Sequence, residues 1–221
     1  LDGHSADTLL VVARSSGEPG SRDGLSVVMV PRDTAGVAIE RTVMADSRNA
    51  ANIRFTDVAI SGAQVIGTVG EAGTWLEDVL DRGRIALAAE MLGSVEEVFA
   101  RTVAWLKERG QFGVPIGSFQ ALQHRAARLQ TELELAQSVV LQALATVDEQ
   151  PRQLALMASL AKANLNELAK LATNEAVQMH GGIGVTDELE IGFFLKRART
   201  AMQIFGDTGF HKDRYATLCG Y

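Results

Sequence analysis

The sequence holds a single cysteine, Cys219, among its 221 residues. One cysteine excludes an internal disulfide framework and a cysteine-based metal knot, and it fits a reducing compartment. An excess of positive charge is also missing. The formal net charge is −6, so the electrostatic footprint of a nucleic-acid partner is absent. The one local basic cluster, Lys196, Arg197 and Arg199, reads as a solvated helix face. No apolar run approaches the roughly twenty residues that span a bilayer, and no signal-peptide pattern opens the chain. The expectation is a cytoplasmic protein without a membrane span. Internal repeats, low-complexity segments and histidine pairs one helical turn apart are lacking too, so no metal site is expected. Leu1 stands where a Met would open a gene product, and an apolar segment follows almost at once. More chain is expected upstream.

What is present is a composition that can bury a sizeable core, with 47% hydrophobic and 22% charged residues. Two halves differ in texture. Up to about Thr68, β-prone runs alternate with turn residues: Thr8 to Ala13, Leu25 to Val30, Val37 to Val43 and Ala51 to Phe55. That spacing predicts an antiparallel sheet or barrel. After Gly73 the apolar positions recur with helical period, from Leu76 through Val95 to Leu106, predicting one helix to about Arg109. Ser118 is expected to cap a second helix, and Pro151 to open a third that ends at His180 before Gly181-Gly182. A fourth is expected over Glu188 to Phe205, with a short fifth after Asp207. The fold class is therefore α+β, mainly α: an antiparallel four-helix bundle in residues 69–221, preceded by part of an antiparallel β domain in residues 1–68.

Two segments carry chemistry. The first is Arg109-Gly110-Gln111-Phe112-Gly113-Val114-Pro115-Ile116-Gly117-Ser118-Phe119-Gln120. Its glycines let a ligand approach the backbone, Arg109 can clamp a phosphate, and Phe112 offers a flat apolar face. The second is Gln178-Met179-His180-Gly181-Gly182-Ile183-Gly184, whose glycines expose N–H groups able to bind nucleotide oxygens. Taken singly, each is also an ordinary helix connection.

As a pair at this spacing they closely resemble the acyl-CoA dehydrogenases, and the resemblance covers Leu1 to Tyr221. It extends to Leu1-Asp2-Gly3, Val30-Pro31 and Phe55-Thr56-Asp57-Val58, which look like that family's middle β domain. The resemblance implies FAD held across a subunit interface of a tetramer. Arg109 and Phe112 would serve the pyrophosphate and adenine side, assisted by Gln111 and Gln120, while Gln178, Gly181 and Gly182 would pack on the same cofactor from a neighbouring chain. Asp81 and Arg84 match the family's acidic-then-basic pair, which implies a substrate-binding role for Arg84. The implied reaction is α,β-dehydrogenation of an acyl-CoA thioester, with a carboxylate as base and a separate electron-transfer acceptor.

The base departs from the pattern. Of the family's two usual glutamate positions, one holds Gly206, in Phe205-Gly206-Asp207-Thr208, and the other holds Gly83. Asp207, one residue on, and Glu90, two helical turns beyond Gly83 on nearly the same face, are the catalytic candidates within the chain. Each also has an ordinary reading, Asp207 as a helix N-cap and Glu90 as a structural carboxylate. A third source is a related polypeptide, because Phe205-Gly206-Asp207 with His211 and Arg214 resembles bacterial members built from two related chains and associated with bulky substrates such as sterol side chains. The alternatives are thus a homotetramer or heterotetramer that dehydrogenates, a non-catalytic subunit completing a partner's FAD site, and a flavin monooxygenase or oxidase on the same scaffold. Small residues at Gly83, Ala86 and Ala89 suggest room for a wide acyl group.

Overall fold

A computed structural model describes all residues, 1–221. It divides into two compact units, Leu1–Val79 and Leu80–Tyr221.

The first unit is built on hairpins. Strands β1 (Thr8–Arg14) and β2 (Leu25–Pro31) pair antiparallel, with Thr8 opposite Pro31 and Arg14 opposite Leu25. Strands β3 (Val37–Val43) and β4 (Asn49–Phe55) form a second antiparallel pair. A short β5 (Val65–Ile66) adds to the free edge of β2. The β1–β2 loop is closed by Arg14, which donates from Nη1 to the Asp23 carbonyl at 2.8 Å and from Nη2 to that of Ser21 at 2.6 Å. Gly24, at φ +80°, lets this loop close, since a Cβ there would lie 2.0 Å from the Ser16 carbonyl oxygen. The sheet texture predicted up to Thr68 continues into a longer unit because the following turn is tied back onto it. The Gly24 N–H donates to the Gly70 carbonyl at 2.9 Å, and the Gly70 N–H donates to Ser26 Oγ at 2.8 Å.

The second unit is helical. Helix α1 (Leu76–Glu108) begins in the first unit and supplies most of its length here. It is followed by α2 (Gln120–Glu149), α3 (Leu154–His180), α4 (Ile191–Ala201) and α5 (Thr208–Leu218). This is the expected mainly helical α+β architecture with its antiparallel bundle. The core joins Ile85, Ala88, Met91, Val95 and Val98 of α1 to Leu129, Leu133 and Val140 of α2 and to Leu165 and Leu168 of α3. Full burial of each such aliphatic side chain stabilises by about 1.5–3 kcal/mol. Helix α3 is covered on nearly every side. Polar Ser159, Lys162 and Asn166 are therefore as buried as its leucines.

Two helix boundaries differ from expectation. Ser118 does not cap α2: its Oγ donates to the Pro115 carbonyl at 2.8 Å, and Phe119 occupies the cap position without a side-chain bond. The fourth helix is confined to Ile191–Ala201 rather than Glu188–Phe205. It cannot continue because Phe205 and Gly206 adopt φ of +62° and +116°, and the Lys162 ammonium takes up the Ala201 carbonyl at 3.0 Å.

Candidate functional site

The link between α1 and α2 forms a small ribbon, β6 (Gly110–Gln111) against β7 (Val114–Pro115), with Phe112 and Gly113 at its tip. Phe112 sits at φ +54° and is 90% exposed, touching only Phe119 edge-on at 6.1 Å. Gln111 and Gln120 are exposed as well. An aromatic ring held out on a turn at positive φ is available to a ligand or partner.

Arg109 lies over the Trp105 ring at 5.7 Å, and Trp105 in turn stacks on His180 at 5.2 Å. His180 is buried and fixed by Nδ1, which meets the Ala176 carbonyl at 2.7 Å. The stack therefore couples the first motif to the second, because His180 immediately precedes Gly181 and Gly182. Gly181 ends α3 at φ +70°, and a Cβ on Gly110, Gly113, Gly181 or Gly182 would meet nothing within 4 Å. These glycines are not required by packing within the chain; they leave backbone open. Gln178 is exposed beside them. A cleft of about 240 Å³ beneath the stack is lined by Arg101, Trp105, Glu108, His180 and Glu190. The indole N–H of Trp105 has no hydrogen-bond partner. An arginine, open glycines, an orphaned N–H and a free aromatic face together suit an anionic ligand with a flat ring system, which is what FAD presents.

The second cluster surrounds Gly83 and Gly206, the two positions at which the resemblance implies a glutamate. Asp81, 1% exposed, accepts from Arg84 Nη1 at 2.7 Å and from Arg214 Nη1 and Nη2 at 2.7 and 2.8 Å. Arg214 also donates to Ser159 Oγ at 2.9 Å. Arg84, which the resemblance assigns to substrate, is engaged inside the chain: its Nε donates to the Phe205 carbonyl at 3.2 Å and its guanidinium lies 5.7 Å from the Phe210 ring. Lys162 is fully buried, donating to Asn166 Oδ1 at 2.7 Å and to the Ala201 and Gly206 carbonyls at 3.0 and 3.3 Å. Burial pushes its pKa down to about 8, with Asp207 opposing and Arg84 reinforcing the shift. His211 is also fully buried. Its Nε2 meets the Phe205 carbonyl at 3.1 Å, so that nitrogen carries the proton, while Nδ1 has no partner. Burial first, then the Lys162 and Arg84 charges, depress its pKa to about 4.

Both candidate carboxylates have structural partners. Glu90 is exposed rather than set among its small neighbours, and it grips Arg197 of α4 through Oε1 to Nε at 2.7 Å and Oε2 to Nη2 at 2.9 Å. The void beside it is about 10 Å³, room for one water at most. Asp207 is the N-cap of α5, its Oδ1 accepting from the Phe210 N–H at 2.8 Å. The room left by Gly83 is taken by the Phe205 ring, 3.2 Å from where a Cβ would stand. Sequence reading passed over Lys162, although Ala158, Ala161, Leu165 and Ala169 place it on the apolar stripe of α3. A lysine there is a signal for a buried amine. Trp105 left no comparable signal, being one more apolar residue of α1.

The family model described as "Acyl-CoA dehydrogenase, C-terminal domain" matches residues 73–217. The probable acyl-CoA dehydrogenase YngJ of Bacillus subtilis is 33% identical over 88% of this chain and 52% of its own length. Acyl-CoA dehydrogenase IpdE2 of Mycolicibacterium smegmatis is 39% identical over 59% of this chain and 40% of its own. The crystal structure of an acyl-CoA dehydrogenase from Geobacillus kaustophilus superposes with a TM-score of 0.92 at 26% identity, covering 100% of this chain and 59% of that one. The chain thus spans about half the length of the curated relatives it matches.

Proposed function

Because the chain belongs to the acyl-CoA dehydrogenase family, we propose that it is the C-terminal portion of an FAD-dependent enzyme that dehydrogenates an acyl-CoA thioester. Residues 1–68 complete a middle β domain and residues 69–221 form the helical domain. The observation that carries this reading is the Arg109–Trp105–His180 stack, which brings the two glycine-bearing connections to one end of the unit. Arg109, Gln111, Phe112 and Gln120 hold the nucleotide end of the cofactor together with Gln178, Gly181 and Gly182. The resemblance implies that the two motifs reach one cofactor from neighbouring chains; the Arg109–Trp105–His180 contacts favour instead both acting from the same chain, on a cofactor shared across a tetramer interface. When bound, FAD supplies the acceptor for a hydride from the substrate β-carbon. The reaction would also need a carboxylate to accept the α-proton and a separate acceptor for the electrons.

The buried cluster of this chain shapes that site without supplying the base. Asp81 fixes Arg84 and Arg214, and Lys162 holds the Phe205–Gly206 turn. A second reading, a subunit completing an FAD site whose base sits on a related chain, is favoured by the structural engagement of both Glu90 and Asp207. The deciding experiment is the visible spectrum of the full-length gene product, air-free, before and after a panel of straight-chain and sterol-like acyl-CoAs. A flavin band bleached by a thioester marks an enzyme complete in itself; bleaching retained in both Glu90→Gln and Asp207→Asn then places the base outside residues 1–221, and its loss in either variant identifies the base. Bleaching that needs a co-expressed related chain marks the heteromeric form. Absence of flavin from both preparations would sink the proposal.

A further inference from the structure

The two positions at which the resemblance implies a glutamate are filled, not vacant. At Gly206 the backbone has φ +116°, and a built Cβ would lie 2.4 Å from Cδ1 and 3.0 Å from Cε1 of Phe210, and 2.9 Å from His211 Nε2. His211 cannot retreat cheaply, and Phe210 can move only by giving up its ring contacts. Phe210 packs edge-on against His211 at 5.0 Å with the Arg84 guanidinium 5.7 Å from its ring. His211 is fully buried and tied to the Phe205 carbonyl at 3.1 Å. At Gly83 a Cβ would meet Cε2 and Cζ of Phe205, each at 3.2 Å. Phe205 itself adopts φ +62°, a conformation costly for an aromatic residue that persists only where surrounding contacts impose it. Phe205 of the turn and Phe210 of the first turn of α5 thus occupy the space beside Gly83 and Gly206.

We propose that Phe210 and Phe205 are blocking residues that crowd Gly206 and Gly83, so that a glutamate introduced alone at either position does not act as a base. Phe210 is 46% exposed, so the ring that covers Gly206 leaves its outer face open to solvent. The part of this inference that concerns catalysis rests on the acyl-CoA dehydrogenase reading; the part that concerns packing does not.

The test uses the full-length gene product with its flavin. A double-mutant cycle of Gly206→Ala and Phe210→Ala is read by chemical denaturation. The backbone penalty at φ +116° is common to both arms and cancels, leaving the coupling between ring and Cβ. Gly206→Ala is expected to lower the denaturation midpoint clearly in the parent and much less in the Phe210→Ala background; additive effects overturn the proposal. A second pair, Gly206→Glu and Gly206→Glu/Phe210→Ala, is read by flavin bleaching with acyl-CoA. The single variant is expected to gain less than about twofold and the double variant at least about tenfold, the range of an added general base. Full gain from the single variant also overturns the proposal. A coupled stability cycle with no bleaching in any variant leaves the blocking role standing and counts instead against the acyl-CoA reading.

Discussion

His211 is a neutral imidazole by construction. It is fully buried, donates from Nε2 to a carbonyl, and shares its surroundings with Lys162, Arg84 and Arg214, while Asp207, four residues earlier at the cap of the same helix, offsets the Lys162 charge. Its pKa of about 4 lies below the ordinary 6.5. Between those values the unfolded chain binds a proton that the folded chain refuses, so stability falls as pH drops from 6.5 towards 4. The whole effect is at most about 3 kcal/mol. Denaturation midpoints measured across that range should slope less steeply for His211→Gln than for the parent; parallel slopes would contradict the assignment. Lys162 acts with the same sign at higher pH. Its ammonium has three acceptors, yet its pKa is lowered to about 8, so its burial penalty relaxes as pH rises from 8 towards its ordinary value.

Between elements, two arginine–carboxylate pairs of similar geometry are expected to differ in worth because their burial differs. Arg214 of α5 grips Asp81 of α1 with side chains 13% and 1% exposed, whereas Arg197 of α4 grips Glu90 of α1 at 17% and 37%. Removing the buried carboxylate strands Arg84 and Arg214 together. Asp81→Asn should therefore cost about 3–5 kcal/mol and loosen α5, visible as faster amide exchange in residues 208–218. Glu90→Gln leaves a guanidinium that water can reach, and should cost under about 1 kcal/mol. Equilibrium denaturation of the two variants side by side decides the contrast; equal losses would mean that burial does not set the strength of these ties. The same reasoning explains why α4 stops where it does. The carbonyl of its last residue, Ala201, is taken by Lys162 from α3, and the turn through Phe205 and Gly206 leads directly to the cap at Asp207.

For the molecule as a whole, the cofactor motifs and the folding core are separable. Phe112 is exposed, and Gly182 has open space around its missing Cβ. Gly182→Val should change stability by no more than about 1 kcal/mol while lowering the flavin-to-protein absorbance ratio of the purified full-length protein. Arg109→Ala should do the same by removing the phosphate clamp. Unchanged flavin content in both variants would place the cofactor elsewhere. No helix is long and apolar enough to cross a membrane.

The helical period of α1 to α3, the strand runs of the first unit and the two glycine motifs were legible in the residue pattern, because each is a local property: a repeat of apolar side chains, a turn residue, a stretch of backbone without Cβ. The loss of glutamate at Gly83 and Gly206 was equally plain. What fills those places was not. Phe205 over Gly83 and Phe210 over Gly206 depend on a left-handed turn between α4 and α5, and that turn is held by Lys162 from a helix some 40 positions earlier. The same holds for Glu90, whose partner Arg197 lies 107 residues away on α4. Arg84 matched a substrate residue by motif, yet its tertiary neighbours Asp81, Phe205 and Phe210 engage it within the chain. Local chemistry determined which segments become helix, strand or open loop. Long-range packing decided which charged side chains are free to act, because only the packed chain sets how much water and how many partners each one meets.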